Sequence, residues 1–398
     1  MNRTAATVLL FFYEKLSLTN NHKVKMKFKI ESAELTSALA AIAKAIPAKP
    51  MIPMLSNFLI ELSNGLVRIT ASDSEIALRG LVRPDETDDN GSTAVPAKVL
   101  LDLLNTLPQG PVQLEMSKDA LSVKVKWASG ESVLPAFAPG DYIDIAVPDK
   151  DSSVKFTTVT DVLMSAIRKT IGSVGTDEAR PVLCGIYFDI QSGKSSIVAS
   201  DASRLLAYEV ETPDVSASSP FILPAKAASI LKGILPKDHA VTVVSDGKNA
   251  RFAFGSTEMT VRLLVGKYPA WRTIVPKKND NVLGVKREDM MQALRRMGVL
   301  ADKKTSIVKV ELTFNKMTIT AEDLGLSMRG DETLVCDYDG NNMRIGLKAT
   351  SLIETLSVFD TEEIEIRFMD ERHAILIGPA GEKASEEPLM AVIMPLKI

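Results

Sequence analysis

Polar and apolar residues alternate with period two over residues 57–62, 66–71 and 75–82, which predicts three strands with one face buried. Asn64-Gly65 between the first two is a hairpin-turn pair, because both central positions of such a turn need positive φ. Ahead of them, residues 27–30 read as a strand and 34–46 as a helix that Pro47 stops. A short strand then leads to Pro96, read as the first helical residue, and the helix runs to residue 107. Alternating runs at 112–116, 121–127 and 131–137 follow. The pattern is one helix plus three strands, done twice.

The pattern returns along the chain. ITASD ending at Asp73, VASD ending at Asp201 and ITAED ending at Asp323 each read as a strand closing on an aspartate. VPAK ending at Lys98, LPAK ending at Lys226 and GLK ending at Lys348 each open a helix. Asp73 to Asp201 and Lys98 to Lys226 are both 128 residues apart, and Asp201 to Asp323 and Lys226 to Lys348 are both 122. Two markers keeping one register twice describe an internal repeat. The expected division is an extension at 1–25 and like domains at 26–150, 151–278 and 279–398, parted in the polar stretches VPDKDSS and VPKKNDN. The expected fold class is α+β, with six helices and a large antiparallel strand content.

Composition narrows the picture. Hydrophobic content of 45% allows a core in each repeat. Cys184 and Cys336 lie far apart and form no disulfide framework or zinc pattern, which fits a reducing cytoplasm, so a cytoplasmic location is expected. No apolar run of about 18 residues occurs, so no membrane span is expected. Residues 1–25 carry Arg3 ahead of an apolar stretch to Tyr13, but no small-residue cleavage site follows and Glu14-Lys15 interrupts. They are read as a dispensable extension or an upstream start, with Met26 opening the folded part.

The net charge of −3 conceals segregation. The six predicted helices hold 14 Lys and Arg against 7 Asp and Glu, about +7, which leaves about −10 elsewhere. Polar stripes run through Lys98, Asp102 and Asn105, through Asp161, Ser165, Arg168 and Gly172, and through Gln292, Arg295 and Arg296. A charge stripe on one helix is ordinarily a solvated face. Six helices leaning one way in a repeat point to a basic layer.

Longer motifs carry a resemblance. They are MKF opening at Met26, KPMIPMLSN at 49–57, SDASRL at 200–205, YPAWR at 268–272 and MPLKI at 394–398. In that order and spacing the chain resembles the bacterial sliding clamps, the beta-subunit family of DNA polymerase III, over residues 26–398. The resemblance implies three tandem clamp domains and two chains joined head to tail as a ring, with helices inside around duplex DNA and antiparallel sheets outside. It implies no catalysis, cofactor or metal. By resemblance Lys49, Lys98 and Lys226 face DNA, and the helical stripes add Arg168, Arg295 and Arg296. Phosphate contacts without base readout would permit sliding on any sequence. Asp177 stands where related clamps can carry a neutral polar residue facing DNA, so it is left out.

The resemblance also implies a hydrophobic cleft for short linear peptides of the DNA polymerase III alpha subunit, the clamp loader, other polymerases and repair proteins. Carried over by motif, its lining is Leu183, Ser200, Ala202, Ser203, Arg204, Leu205, Pro269, Ile274, Val392, Ile393, Met394, Pro395 and Leu396. Arg180 and Asp201 border it, and Thr273 stands where related clamps often have a basic residue. Met and Pro near a chain terminus make an adaptable apolar surface; the plainer alternative is a last strand packing in the core. The ring contact is expected at the edge strand Ser132-Val133-Leu134 and at Val299-Leu300 near the end of the fifth helix. Ordinary core is the alternative for Val299-Leu300.

An enzyme is the main competing class. Asp73, Asp201 and Asp323 suggest carboxylate chemistry, yet they occupy one equivalent place per repeat, at a strand end where aspartate fixes a turn. The sequence has no Gly-rich phosphate loop, no G-x-S-x-G and no His/Cys ligand spacing. A protein-binding repeat scaffold is the third class, and it predicts no segregation of charge.

Overall fold

The computed structural model describes residues 26–398 apart from 117–121, 144, 150–152, 213–214 and 216–217. The extension at 1–25 and part of the first predicted linker lie outside the described residues.

Six helices are present among them: α1 (Ser32–Ile42), α2 (Ala97–Thr106), α3 (Thr160–Thr170), α4 (Ala225–Ile234), α5 (Arg287–Leu300) and α6 (Ala349–Leu356). In the first repeat, α1 is followed by strands Asn57–Ser63, Leu66–Ser72 and Ile76–Val82, and α2 by Pro111–Met116, Ser122–Trp127 and Gly130–Pro135. The expected helix plus three strands therefore occurs twice, each time led in by one strand, Lys27–Glu31 or Gly91–Pro96. Asn64 and Gly65 have φ of 52° and 74°, as the tight turn requires.

Three local expectations change. The first helix ends at Ile42 and tightens to a 3-10 turn, Ala43–Ala45, ahead of Pro47. Pro96 caps α2 from outside, with φ −52° and ψ 112°, and still pairs with Asn57 as the last strand residue. A short strand, Glu86–Asp88, which the alternation did not reveal, pairs with Lys27–Glu31.

Each helix buries one stripe. α2 buries Ala97, Leu100 and Leu104 and leaves Lys98, Asp102 and Asn105 exposed; α5 buries Met290, Met291, Ala293, Leu294 and Met297 and leaves Arg295 and Arg296 exposed. Fully burying such an apolar side chain stabilises by about 1.5–3 kcal/mol. The charge count is corrected by these boundaries. The helices themselves hold 8 Lys and Arg against 6 Asp and Glu, and one of the eight, Lys169, is buried. Most of the basic excess (Lys44, Lys237, Lys286, Lys303, Lys304 and Lys348) lies in the turns and strand ends beside the helices.

Among the described residues four antiparallel sheets form. By contact the chain makes two compact units, the described part of Met1–Asp161 with Ile230–Leu263, and Val162–Ser229 with Leu264–Ile398. The first unit holds a five-stranded sheet with Gly130–Pro135 at one edge. It also holds an eight-stranded sheet in which Ile76–Val82 of the first repeat pairs with Thr257–Arg262 of the second. In that pairing Arg79 faces Glu258 across the strands. Both are buried, with Arg79 Nη1 3.2 Å from Glu258 Oε1 and 2.8 Å from Thr260 Oγ1. A charge at such depth is tolerated only when paired and hydrogen-bonded.

The second unit is organised alike. Its nine-stranded sheet joins Arg204–Thr212 of the second repeat to Leu389–Ile393 of the third, with Leu205 opposite Val392 and Leu206 opposite Ala391. Its four-stranded sheet ends in an edge strand, Met328–Val335.

Candidate functional site: an apolar cleft on the nine-stranded sheet

The cleft starts from a turn. Asp201 follows the strand Gly193–Ser200, and its Oδ1 accepts the N–H groups of Ser203 (2.8 Å) and Arg204 (3.0 Å) and the Ser203 hydroxyl (2.7 Å). Ser200 Oγ donates to the Arg204 carbonyl at 2.7 Å and accepts the Ala202 N–H at 3.1 Å, while Ala202 adopts φ +75° at the tip. Asp73 does the same for Glu75 and Ile76 at 2.9 and 2.7 Å, and Asp323 for Leu326 at 3.0 Å. These three carboxylates are turn-fixing groups, each satisfied by backbone N–H donors.

Beside the turn lies a cavity of about 160 Å³, lined by Leu183, Ser200, Ala202, Ser203, Arg204, Leu205, Tyr268, Pro269, Trp271, Ile274, Val392 and Met394. Its lining includes the cross-strand pair Leu205 and Val392, so the second and third repeats both contribute to it. Leu183 arrives on a 3-10 turn, Pro181–Leu183, and is buried. Ile274 and Met394 stand at the rim, 44% and 42% exposed.

The aromatic wall is held from behind. Trp271 Nε1 donates to Asp189 Oδ2 at 3.0 Å, and Arg272 bonds the same carboxylate oxygen while its guanidinium sits 4.4 Å from the Trp271 ring centroid. Tyr268 stacks on Tyr187 with centroids 4.5 Å apart, and burial pushes its phenol well above the usual tyrosine range. Such a cavity can hold an apolar side chain. Among the described residues no group of three or more His, Cys, Asp or Glu could hold a metal ion. No helix there is long and apolar enough to cross a membrane.

Ten of the residues expected in the cleft line it: Leu183, Ser200, Ala202, Ser203, Arg204, Leu205, Pro269, Ile274, Val392 and Met394. Six do not. Asp201 lies behind the turn, paired to Arg204 Nε at 3.1 Å. Arg180 pairs with Asp177 at 2.9 Å, and Thr273 donates to the Ala270 carbonyl at 2.7 Å. Ile393 is buried in the core of the third repeat, because adjacent strand residues face opposite sides and Val392 takes the cleft side. Pro395 is half-buried beyond the strand, and Leu396 donates its N–H to the Gly346 carbonyl at 2.8 Å. Tyr268 and Trp271 were missed, although both stand in the YPAWR motif; an aromatic pair flanking Pro269 was the available signal.

The basic residues expected to face DNA are exposed, and most are ion-paired. Lys98 pairs with Asp102 at 2.9 Å, and that bond raises its pKa. Arg168 lies 3.5 Å from Asp360 and Arg295 3.6 Å from Glu288. Arg296 makes two bonds, 2.8 and 2.5 Å, to Glu332 on the edge strand. Lys49 is exposed in the loop after α1, and Lys226 is exposed on α4. Of the expected ring-contact residues, Val133 and Val299 are 58% and 72% exposed. Ser132 is half-buried, Leu134 is buried, and Leu300 packs where a Cβ on Gly330 would come within 2.4 Å of it. The edge strand Met328–Val335, with Val335 90% exposed, was not among the expectations.

Comparison with known proteins agrees with this architecture. Residues 26–145, 157–270 and 272–397 match the families described as the N-terminal, central and C-terminal domains of the DNA polymerase III beta subunit. The chain is 25% identical over 377 residues to a beta sliding clamp of Salmonella typhimurium, covering 94% of this chain and 100% of that one. It is 26% identical over 386 residues to a beta sliding clamp of Streptomyces coelicolor, with the same coverage. The fold is similar to a Pseudomonas aeruginosa sliding clamp solved with griselimycin bound (TM-score 0.88, 22% identity) and to a Thermotoga maritima beta subunit (TM-score 0.83, 22% identity). Each of these two comparisons covers 94% of this chain and all of the other.

Proposed function

We propose, since this chain belongs to the DNA polymerase III beta subunit family and is thereby a non-catalytic DNA sliding clamp of that polymerase, that two copies close head to tail around duplex DNA and tether partner proteins through the cleft over Leu205 and Val392. In this reading the three repeats, 26–150, 151–278 and 279–398, are three clamp domains working in the cytoplasm. The helices face inward, and Lys49, Lys98, Lys226, Arg168, Arg295 and Arg296 meet phosphates. Ion pairing of four of these keeps the attraction weak and exchangeable, which suits sliding better than tight seating.

The observation that carries the ring is that Gly130–Pro135 in the first repeat and Met328–Val335 in the third are both edge strands of their sheets. An edge strand left open is a template for pairing, and two different edges on one chain suit a heterologous contact that closes. The cleft supports tethering: its adaptable rim, Ile274 and Met394, fits apolar side chains of several peptides.

The test is retention on DNA. Loaded protein should stay on a nicked circular duplex at moderate salt and be lost when the circle is cut. Lys98→Glu with Lys226→Glu should reduce loading about tenfold or more, since each reversal removes a phosphate contact. Equal retention on circular and linear duplex would overturn the encircling ring.

A further inference from the structure

Arg204 is the feature of the cleft that the repeat does not require. It stands three residues after Asp201, where the first repeat has Ile76 and the third Leu326. The Asp73 turn closes on Ile76 with the same backbone bonds, so the turn itself needs no arginine. Ile76 is 2% exposed and apolar, whereas Arg204 is 9% exposed and charged. A guanidinium so buried is tolerated only if its N–H groups find acceptors.

It finds them away from the cavity. Nε reaches Asp201 Oδ2 at 3.1 Å, and Nη2 reaches the Gly172 carbonyl at 2.7 Å, in the 3-10 turn after α3. Nη1 reaches the Ser351 carbonyl at 3.3 Å and Glu354 Oε2 at 2.7 Å, both on α6. Arg204 lines the cleft, yet its Nη1 and Nη2 bonds tie its charged end to α6 and to the turn after α3.

We propose that Arg204 is a positioning residue that draws the Ser200–Arg204 turn against α6 and the exit of α3, and so sets the width of the cleft. Peptide affinity then depends on Glu354, which does not line the cavity. The inference rests on the cleft being the peptide site. The competing role for Arg204 is a direct charge contact with an acidic peptide, and the two roles respond oppositely when Glu354 is removed.

The experiment measures binding of a fluorescein-labelled peptide from a DNA polymerase III partner, in a neutral and an acidic version, to the full chain by fluorescence anisotropy. Glu354→Gln should weaken both versions alike, by roughly three- to tenfold, with the thermal unfolding midpoint unmoved. Adding Arg204→Lys should cost little more, because both changes break one link. Unchanged affinity in Glu354→Gln, or tighter binding of the acidic version alone, would overturn the positioning role. Met394→Asp is the control for the site. Binding that survives it places the peptide elsewhere and removes the reading beneath this one, whereas binding lost in Met394→Asp but untouched by Glu354→Gln overturns the role of Arg204 alone.

Discussion

The carboxylate of Asp201 is partly buried, and burial alone would favour its neutral form. The Ser203 hydroxyl, the Ser203 and Arg204 N–H groups and the Arg204 charge outweigh that and hold its pKa below the ordinary aspartate value. A depressed folded pKa means that the stability it contributes is full above the unfolded value, about 3.9, and is lost as pH falls through the folded one. Asp201→Ala is therefore expected to lower unfolding free energy by about 1–3 kcal/mol at pH 7. Urea titrations should show the gap to the unaltered protein narrowing in strong acid, and a gap independent of pH would exclude this role. Asp177, set aside as a DNA contact on sequence grounds, accepts the Ala179 N–H at 3.0 Å and pairs with Arg180, which together lower its pKa. Asp73, Asp201 and Asp323 were legible as turn formers because strand, aspartate and turn are consecutive in the sequence. Ion partners such as Glu332 for Arg296 were not, since 36 residues separate them.

At the scale of elements, the amphipathic helices and the hairpins follow the alternation closely. The edge strand Met328–Val335 does not stand out, because its side chains alternate between half-buried and exposed rather than between buried and exposed. One face of it packs under α5, where Leu300 lies against Gly330. Of the two α5 residues expected at the ring contact, Val299 alone is largely exposed, so it is the cleaner probe on that helix. Val299→Asp should yield monomers in sedimentation velocity at micromolar concentration with the helical circular dichroism unchanged. Leu300→Asp should in addition lower the unfolding midpoint, because it places a charge against the edge strand. A dimer that persists in Val299→Asp would remove this residue from the interface.

At the scale of the whole molecule, the sequence repeat and the sheets do not share boundaries. The second repeat gives four strands to the sheet it shares with the first and four to the sheet it shares with the third. Cut out alone, it would expose the flanks of Thr257–Arg262 and Arg204–Thr212, both rich in buried residues. Open, apolar edges of that kind associate. A fragment of residues 157–270 is expected to elute from size exclusion as oligomers and to lack a cooperative thermal transition. A monomer unfolding in one sharp step would show that the strands from neighbouring repeats are dispensable to it.

By itself the sequence determined the helix-plus-three-strand unit, its threefold return and the turn role of the aspartates. Each of these is written in short-range periodicity or in motifs whose residues are neighbours in the chain. Only the tertiary structure decided that sheets run across the repeats, that Arg79 is buried against Glu258, and that Val392 rather than Ile393 faces the cleft. It also decided that the guanidinium of Arg204 reaches α6. Those facts depend on strand register and on charge pairs between residues far apart in sequence, and no local pattern of polarity encodes them.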